Sequence, residues 1–257
     1  MKNFITRSII FIAALFALTS HVHAQELTGN MLAQKVFNVD NGNDRSLRTD
    51  MVLIDKNGNE RKRMLEIYSK DYGELSKTFL EFLSPADIKN TRFLSIENKG
   101  KDDTQYLYLP ALGRSRRIVS SQKKIRFANT DYTYEDMQRR RPDKDEHKIT
   151  GEEKYDGYDC YVLESLPKDL ESQYGKRVSW VDKKSFITVR IDLYDKKMKK
   201  SKEFFVKELK QVQGIWTPTK TVMNDLKAGH RTEMALEEII YDQNMEDSMF
   251  EIRHLEE

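Results

Sequence analysis

Ile187-Thr188-Val189-Arg190-Ile191-Asp192-Leu193-Tyr194 is the stretch on which the fold turns. Aliphatic side chains alternate here with polar or polar-tipped ones. Period two with one apolar face marks a half-buried antiparallel strand. Such a strand has an inside and an outside, so a sheet built from several like it has one face that must be covered.

The surrounding chain repeats the pattern. Asn57-Gly58 separates apolar runs at 51–54 and 63–68, and both residues tolerate the positive φ that a tight hairpin needs. Asp156-Gly157 does the same between 147–155 and 158–165. Further runs lie on either side, giving about eleven strands with connections too short for parallel crossovers. Helix signals are few. Leu32, Ala33, Val36 and Phe37 form a stripe on a helix expected near 28–39. Ser84-Pro85-Ala86-Asp87 and Thr133-Tyr134-Glu135-Asp136 carry start signals for short helices near 84–90 and 133–141, and residues 244–247 for a last turn. The expected class is α+β: one large antiparallel sheet with three or four short helices.

A sheet of this size curls, and its concave face needs cover. Helices so few and short cannot fill the concavity, so an apolar space is expected to remain. Alternation places Leu65, Ile67, Leu80, Phe82, Leu94, Ile96, Leu107, Leu109, Trp180, Ile187, Val189 and Ile191 on its wall. This parity rests on alternation alone, and a bulge would flip part of it.

Residues 1–24 read as a secretory signal peptide. Lys2 and Arg7 precede an apolar run from Ile9 to Leu18, and Val22-His23-Ala24 ends the segment. The run is about half the ~20 residues that a membrane-spanning helix needs. Residues 25–257 then form one domain, beginning at Gln25 and exported to the periplasm. Removal of the leader takes two basic and no acidic residues from 44 and 42, leaving 42 of each. That balance argues against nucleic acid as a partner. Cys160 is the sole cysteine, so no internal disulfide supports the core, and its strand-like setting suggests a buried, inert thiol.

Signals for chemistry are missing. His147, His230 and His254 stand far apart without metal-ligand spacing. No nucleophile elbow and no phosphate-cradling glycine loop is present. The expectation is no catalytic residue, no metal and no cofactor, hence not an enzyme. One stretch exceeds background: residues 114–126 hold Arg114, Arg116, Arg117, Lys123, Lys124 and Arg126 with no acid. It reads either as a solvated edge strand or as a patch for anionic headgroups or an acidic partner.

Three segments carry a family resemblance. They are Phe82-Leu83-Ser84-Pro85-Ala86-Asp87-Ile88-Lys89-Asn90-Thr91-Arg92-Phe93-Leu94, residues 106–118 from Tyr106 through Pro110 and Arg114 to Ile118, and Asp131-Tyr132-Thr133-Tyr134-Glu135-Asp136-Met137. Gly214-Ile215-Trp216-Thr217-Pro218 and Phe250 fit as well. The chain resembles the LolA-like outer-membrane lipoprotein-sorting family, in the branch that accompanies lipid exporters of the resistance-nodulation-division type. The likeness runs over nearly all of residues 25–257. It implies an incomplete antiparallel β-barrel of about eleven strands whose short helices form a lid over an apolar cavity. It further implies a monomeric periplasmic carrier of lipid or lipoprotein acyl groups, working toward the outer membrane or with an inner-membrane exporter of that type. The alternative is a lipid sensor or adaptor of such an exporter, without transfer. One departure stands out. Family members commonly carry glycine or serine before the aspartate of the third segment, where this chain has Ala128-Asn129-Thr130. That changes the loop conformation expected there, not the fold.

Overall fold

The computed structural model describes residues 26–257. The leader read at 1–24, and Gln25 as a start, lie outside them. Thirteen strands form one sheet, against the eleven or so expected. They are β1 (Asp44–Ile54), β2 (Glu60–Tyr72), β3 (Leu75–Ser84), β4 (Arg92–Ile96), β5 (Thr104–Leu109), β6 (Arg114–Ile118), β7 (Asp145–Tyr155), β8 (Tyr158–Pro167), β9 (Tyr174–Asp182), β10 (Thr188–Asp195), β11 (Lys200–Val212), β12 (Ile215–Asp225) and β13 (His230–Tyr241). The short runs at 92–96, 104–109 and 114–118 form strands of their own beside the longer ones.

Every neighbouring pair is antiparallel. The order β6-β5-β4-β3-β2-β1-β13-β12-β11-β10-β9-β8-β7 is two meanders joined where β1 pairs β13. The edges, β6 and β7, are not paired with each other, so the barrel is incomplete. The sheet is nonetheless curved. Ser95 of β4 and Phe204 of β11 face one cavity, although six strand spacings, roughly 29 Å of flat sheet, separate their strands.

The chain between the two edges, residues 119–144, crosses the concave side. Phe127 and Tyr134 drop from it into a cluster with Leu65, Leu80, Phe82 and Phe93. Ala128 and Asn129 sit at φ 48° and 61°. These are left-handed values, where a β-carbon is costly, in the loop whose conformation the sequence marked as a departure. Arg63 on β2 donates to the Ala128 carbonyl at 2.5 Å and holds the turn.

The helices differ from expectation in number. α1 (Gly29–Phe37) forms, capped by Thr28, whose hydroxyl accepts from Met31 N–H at 3.2 Å. Gly29 is obligatory: a β-carbon there would lie 2.4 Å from the His147 carbonyl oxygen, so only glycine lets the helix start rest on β7. Residues 85–90 form no helix. They make the β3–β4 turn, closed by Asn90 N–H to Phe82 C=O at 2.8 Å. Thr133 and Asp136 do form reciprocal capping bonds, Thr133 N–H to Asp136 Oδ2 at 2.8 Å and Asp136 N–H to Thr133 Oγ1 at 3.3 Å. Only one turn follows, because the chain must run on to β7. At the C-terminus a short turn leads into α2 (Ile252–Glu256). Phe250 and Leu255 there pack on Phe79 and Leu94, the convex face of the sheet.

Candidate functional site

The concave side has two unlike halves. Around Phe127, at one end of β2–β6, it is filled: Phe82, Phe93, Phe127 and Tyr134 are at most 4 % exposed, and Phe127 stacks on or meets edge-on the other three rings. Beside β8–β12, under α1, it is open. A cavity of about 340 Å³ lies between α1, the crossing segment and the sheet. Val36, Leu163, Ile191, Leu193, Phe204 and Met223 give it apolar walls. A second space of about 640 Å³ shares Val36, Phe37, Gln138, Arg140 and Phe204 with the first, runs across the sheet to Leu47 of β1, Thr78 of β3 and Ser95 of β4, and opens beside Trp216. Both volumes fall in the usual range of small-ligand sites.

The polar wall is a set of paired charges. Arg140 donates to both carboxylate oxygens of buried Asp145, one at 2.9 Å. Arg177 of β9 reaches Glu135 at 3.3 Å and lies 3.7 Å from Asp145. Burial, then the neighbouring Arg140, lowers the Arg177 pKa from its ordinary value. Glu135 also accepts from Ser172 Oγ–H and from the Gln173 N–H. Asp136 accepts from Tyr174 O–H at 2.8 Å and Lys202 Nζ at 3.0 Å. Arg141 and Arg139 both turn to Glu97, at 3.0 and 3.7 Å. The segment beginning Asp131-Tyr132 is thus pinned residue by residue. Asp131 itself accepts from Thr232 Oγ–H at 2.7 Å and lies 2.8 Å from the His230 ring nitrogen.

The twelve residues read as cavity wall scatter. Ile187 and Ile191 do face the two spaces. Leu65, Ile67, Leu80, Phe82, Leu107 and Leu109 face inward but touch the packed aromatic half, not an open space. Leu94 and Ile96 point the other way, into the cluster under the C-terminal segment. The β3–β4 hairpin pairs Leu80 with Phe93 and Phe79 with Leu94, so partners differ in parity and Phe93 takes the inner place. Trp180 and Val189 pack with Cys160 and Val162, away from both spaces. In β9 the inward residue is Ser179, paired with Leu163 and Ile191. An irregularity between Thr188 and Arg190 breaks the alternation of β10, so Thr188 and Ile191 both line the smaller cavity.

The basic run divides too. Lys123 is tied to Asp102, and Arg126 to Asp225 at 2.5 Å. Arg114, Arg116, Arg117 and Lys124 are exposed. Leu112, Val119 and Ile125, 52–56 % exposed, share this edge. Cys160 is buried and unpaired, and burial pushes its thiol up to about 11. No group of three or more His, Cys, Asp or Glu side chains among the described residues could hold a metal ion. None of their helices is long and apolar enough to cross a membrane.

Comparison with known proteins sets this site in context. A family model described as "-like: Uncharacterized protein" matches residues 74–257. No curated protein matches the chain. A DUF1329 family protein from Desulfovibrio piger is 32% identical, with a TM-score of 0.85 over 88% of this chain and 97% of that one. A putative outer membrane lipoprotein-sorting protein domain from Vibrio parahaemolyticus is 28% identical, with a TM-score of 0.85 over 89% and 98%. A LolA superfamily protein from Nitrosomonas europaea, at 18% identity and a TM-score of 0.67 over 87% and 97%, shares the fold. With an open thirteen-stranded antiparallel sheet of this kind and a relative at that identity, the chain belongs to the DUF1329 family, whose fold is that of the LolA superfamily.

Proposed function

We propose that this chain is a lipid carrier that shields an acyl group of a lipid or lipoprotein in the space beneath α1. One observation supports this most: the apolar-walled cavity lies between a helix and the sheet, in a fold shared with a putative lipoprotein-sorting domain. A sixteen-carbon chain exposed to water costs on the order of 11–13 kcal/mol at ~0.8 kcal/mol per methylene. Crossing an aqueous compartment therefore requires such a shield.

In this reading residues 1–24 are a cleaved export signal, residues 25–257 are one carrier domain, and the compartment is the periplasm. The carrier is a monomer without catalytic residue, metal or cofactor. Release needs an acceptor that binds the cargo better, or an exporter of the resistance-nodulation-division type that moves α1. The exposed Arg114, Arg116, Arg117 and Lys124 offer that exporter, or an anionic membrane, a docking edge. α1, which covers the cavity, is seated on β7 through Gly29 and on Leu163 and Val181 through Leu32 and Ala33.

The test is transfer of a fluorescent acyl lipid between donor and acceptor vesicles. A carrier raises the rate in proportion to its concentration. Saturable binding without faster transfer would make the protein a sensor, and absence of binding would remove the reading altogether.

A further inference from the structure

The hairpin turns differ between the two ends of the sheet. All neighbouring strands are antiparallel, so the turns after β1, β3, β5, β8, β10 and β12 fall at one end. Four of them carry a large apolar side chain at the tip: Leu112, Leu170, Met198 and Leu226, 46–87 % exposed. The hairpin turns of the other end carry none among the described residues. One exposed leucine is ordinary on any surface. A set of tips confined to one end is a pattern.

Three of these turns touch and form a basic patch. Lys227 of the β12–β13 turn pairs with Asp195 of the β10–β11 turn at 2.7 Å. A β-carbon on Gly229 would meet Lys56 of the β1–β2 turn at 3.4 Å. Lys56, Lys196, Lys197 and Lys199 are exposed and have no carboxylate partner among the described residues. The acids here are already engaged: Asp55 and Asp195 accept from amides of their own turns, and Asp225 accepts from Arg126 at 2.5 Å. Met198 stands among the lysines at φ 58°, a left-handed position where a side chain is costly, and Leu226 is on the neighbouring tip. Asp169 and Glu171 flank Leu170, so the basic area ends before that turn.

Tips on separate turns, with lysines between them, make no contiguous apolar face for a protein partner to cover. They suit a fluid anionic bilayer, where each tip inserts on its own and each lysine meets a headgroup phosphate. We propose that this end of the barrel seats on an anionic membrane surface, with Met198 and Leu226 inserted at headgroup level and Lys56, Lys196, Lys197 and Lys199 on lipid phosphates. Arg114, where the β6 edge begins, lies at the same end and adds to the attraction. Leu193 and Met223, each two residues before the aspartate of its turn, line the smaller cavity, so this seating brings that cavity close to the bilayer. The contact needs no cargo and stands or falls apart from the carrier reading.

The experiment is co-sedimentation with vesicles of equal parts phosphatidylglycerol and phosphatidylethanolamine, with phosphatidylcholine vesicles as the neutral control. The wild type should bind the anionic vesicles and not the neutral ones. K196Q/K197Q/K199Q should lower the partition constant about a hundredfold, at about fivefold per lysine near an anionic surface. Met198→Asn with Leu226→Ser should lower it about tenfold, asparagine being suited to the left-handed turn. Melting curves confirm that both variants fold. A bimane label on Met198→Cys should shift to the blue on the anionic vesicles, and one on Lys154→Cys, exposed at the opposite end, should not; Cys160 is buried and stays unlabelled. No binding of the wild type to anionic vesicles, binding that the lysine variant retains, or a label at Met198→Cys that does not shift would overturn the inference.

Discussion

The two halves of the concave face are lined by the same crossing segment, yet they have opposite characters. Around Phe82 and Phe93 that segment contributes Phe127 and Tyr134, and the space closes around them. Toward β8–β12 it contributes Glu135, Asp136, Gln138, Arg140 and Arg141, and a cavity remains. Alternating side chains on one strip of chain thus divide the barrel into a packed half that holds the fold and an open half that can take a ligand. Aromatic rings tile a dry interior at native density. Paired charges cannot, because each must keep its partners and geometry. The open half is therefore kept open by its own polar wall.

Substitutions that act on one half only would sharpen or break this division. The largest effect is expected in the packed half. Phe127→Ala removes a ring touching three others and should cost about 4 kcal/mol of unfolding free energy in urea. A loss under about 1 kcal/mol would mean that the half is less tightly packed than described. In the open half the effect should move from stability to binding. Ile191→Trp fills the apolar wall and should weaken acyl-probe binding more than tenfold, at a cost in stability of about 1–3 kcal/mol. Equal binding by this variant and the wild type would place the ligand elsewhere.

A smaller effect concerns Asp103, at the rim of the larger space. Burial, with Glu97 nearby, raises its carboxyl to about 6 from 3.8. Between those values the folded protein holds a proton that the unfolded chain releases, so stability falls as pH rises from about 4 to about 6 and stays lower above. Asp103→Asn should therefore stabilise the protein by about 1–2 kcal/mol at pH 8 and have no effect below pH 4, measured by denaturation at both values. The smallest effect on the fold belongs to the edge outside both halves. Reversing Arg114, Arg116, Arg117 and Lys124 to glutamate should leave melting within about 1 kcal/mol. It should weaken binding to anionic vesicles, most of all at low salt. Unchanged vesicle binding would reduce the run to a solvated edge.

Much of the sheet could be read from the sequence, because period-two alternation and Asn-Gly or Asp-Gly turns are local signals. The division into halves could not. Whether Phe93 or Leu94 faces inward depends on the length of the β3–β4 turn, which pairs odd with even positions. The irregularity at Thr188–Arg190 interrupts the very alternation that revealed the strand. Residues 133–136 gave a correct capping pair but too long a helix, since the pull toward β7 is a tertiary effect. The cavity wall was missed for a different reason. Glu135, Arg140, Asp145 and Arg177 form their network across up to 42 residues of chain, and sequence alone offers no spacing that joins them. The Arg139-Arg140-Arg141 run was the one visible hint.

The central claim is that an acyl group enters the open half and not the packed one. A monoacylglycerol carrying a photoreactive diazirine along its chain, cross-linked to the wild-type protein and mapped by peptide mass spectrometry, tests it most directly. The account predicts labelling at Val36, Leu163, Ile191, Phe204 and Met223, competed away by unlabelled monoacylglycerol. Labelling centred on Leu65, Phe82 and Phe93, or labelling that excess competitor does not reduce, would contradict it.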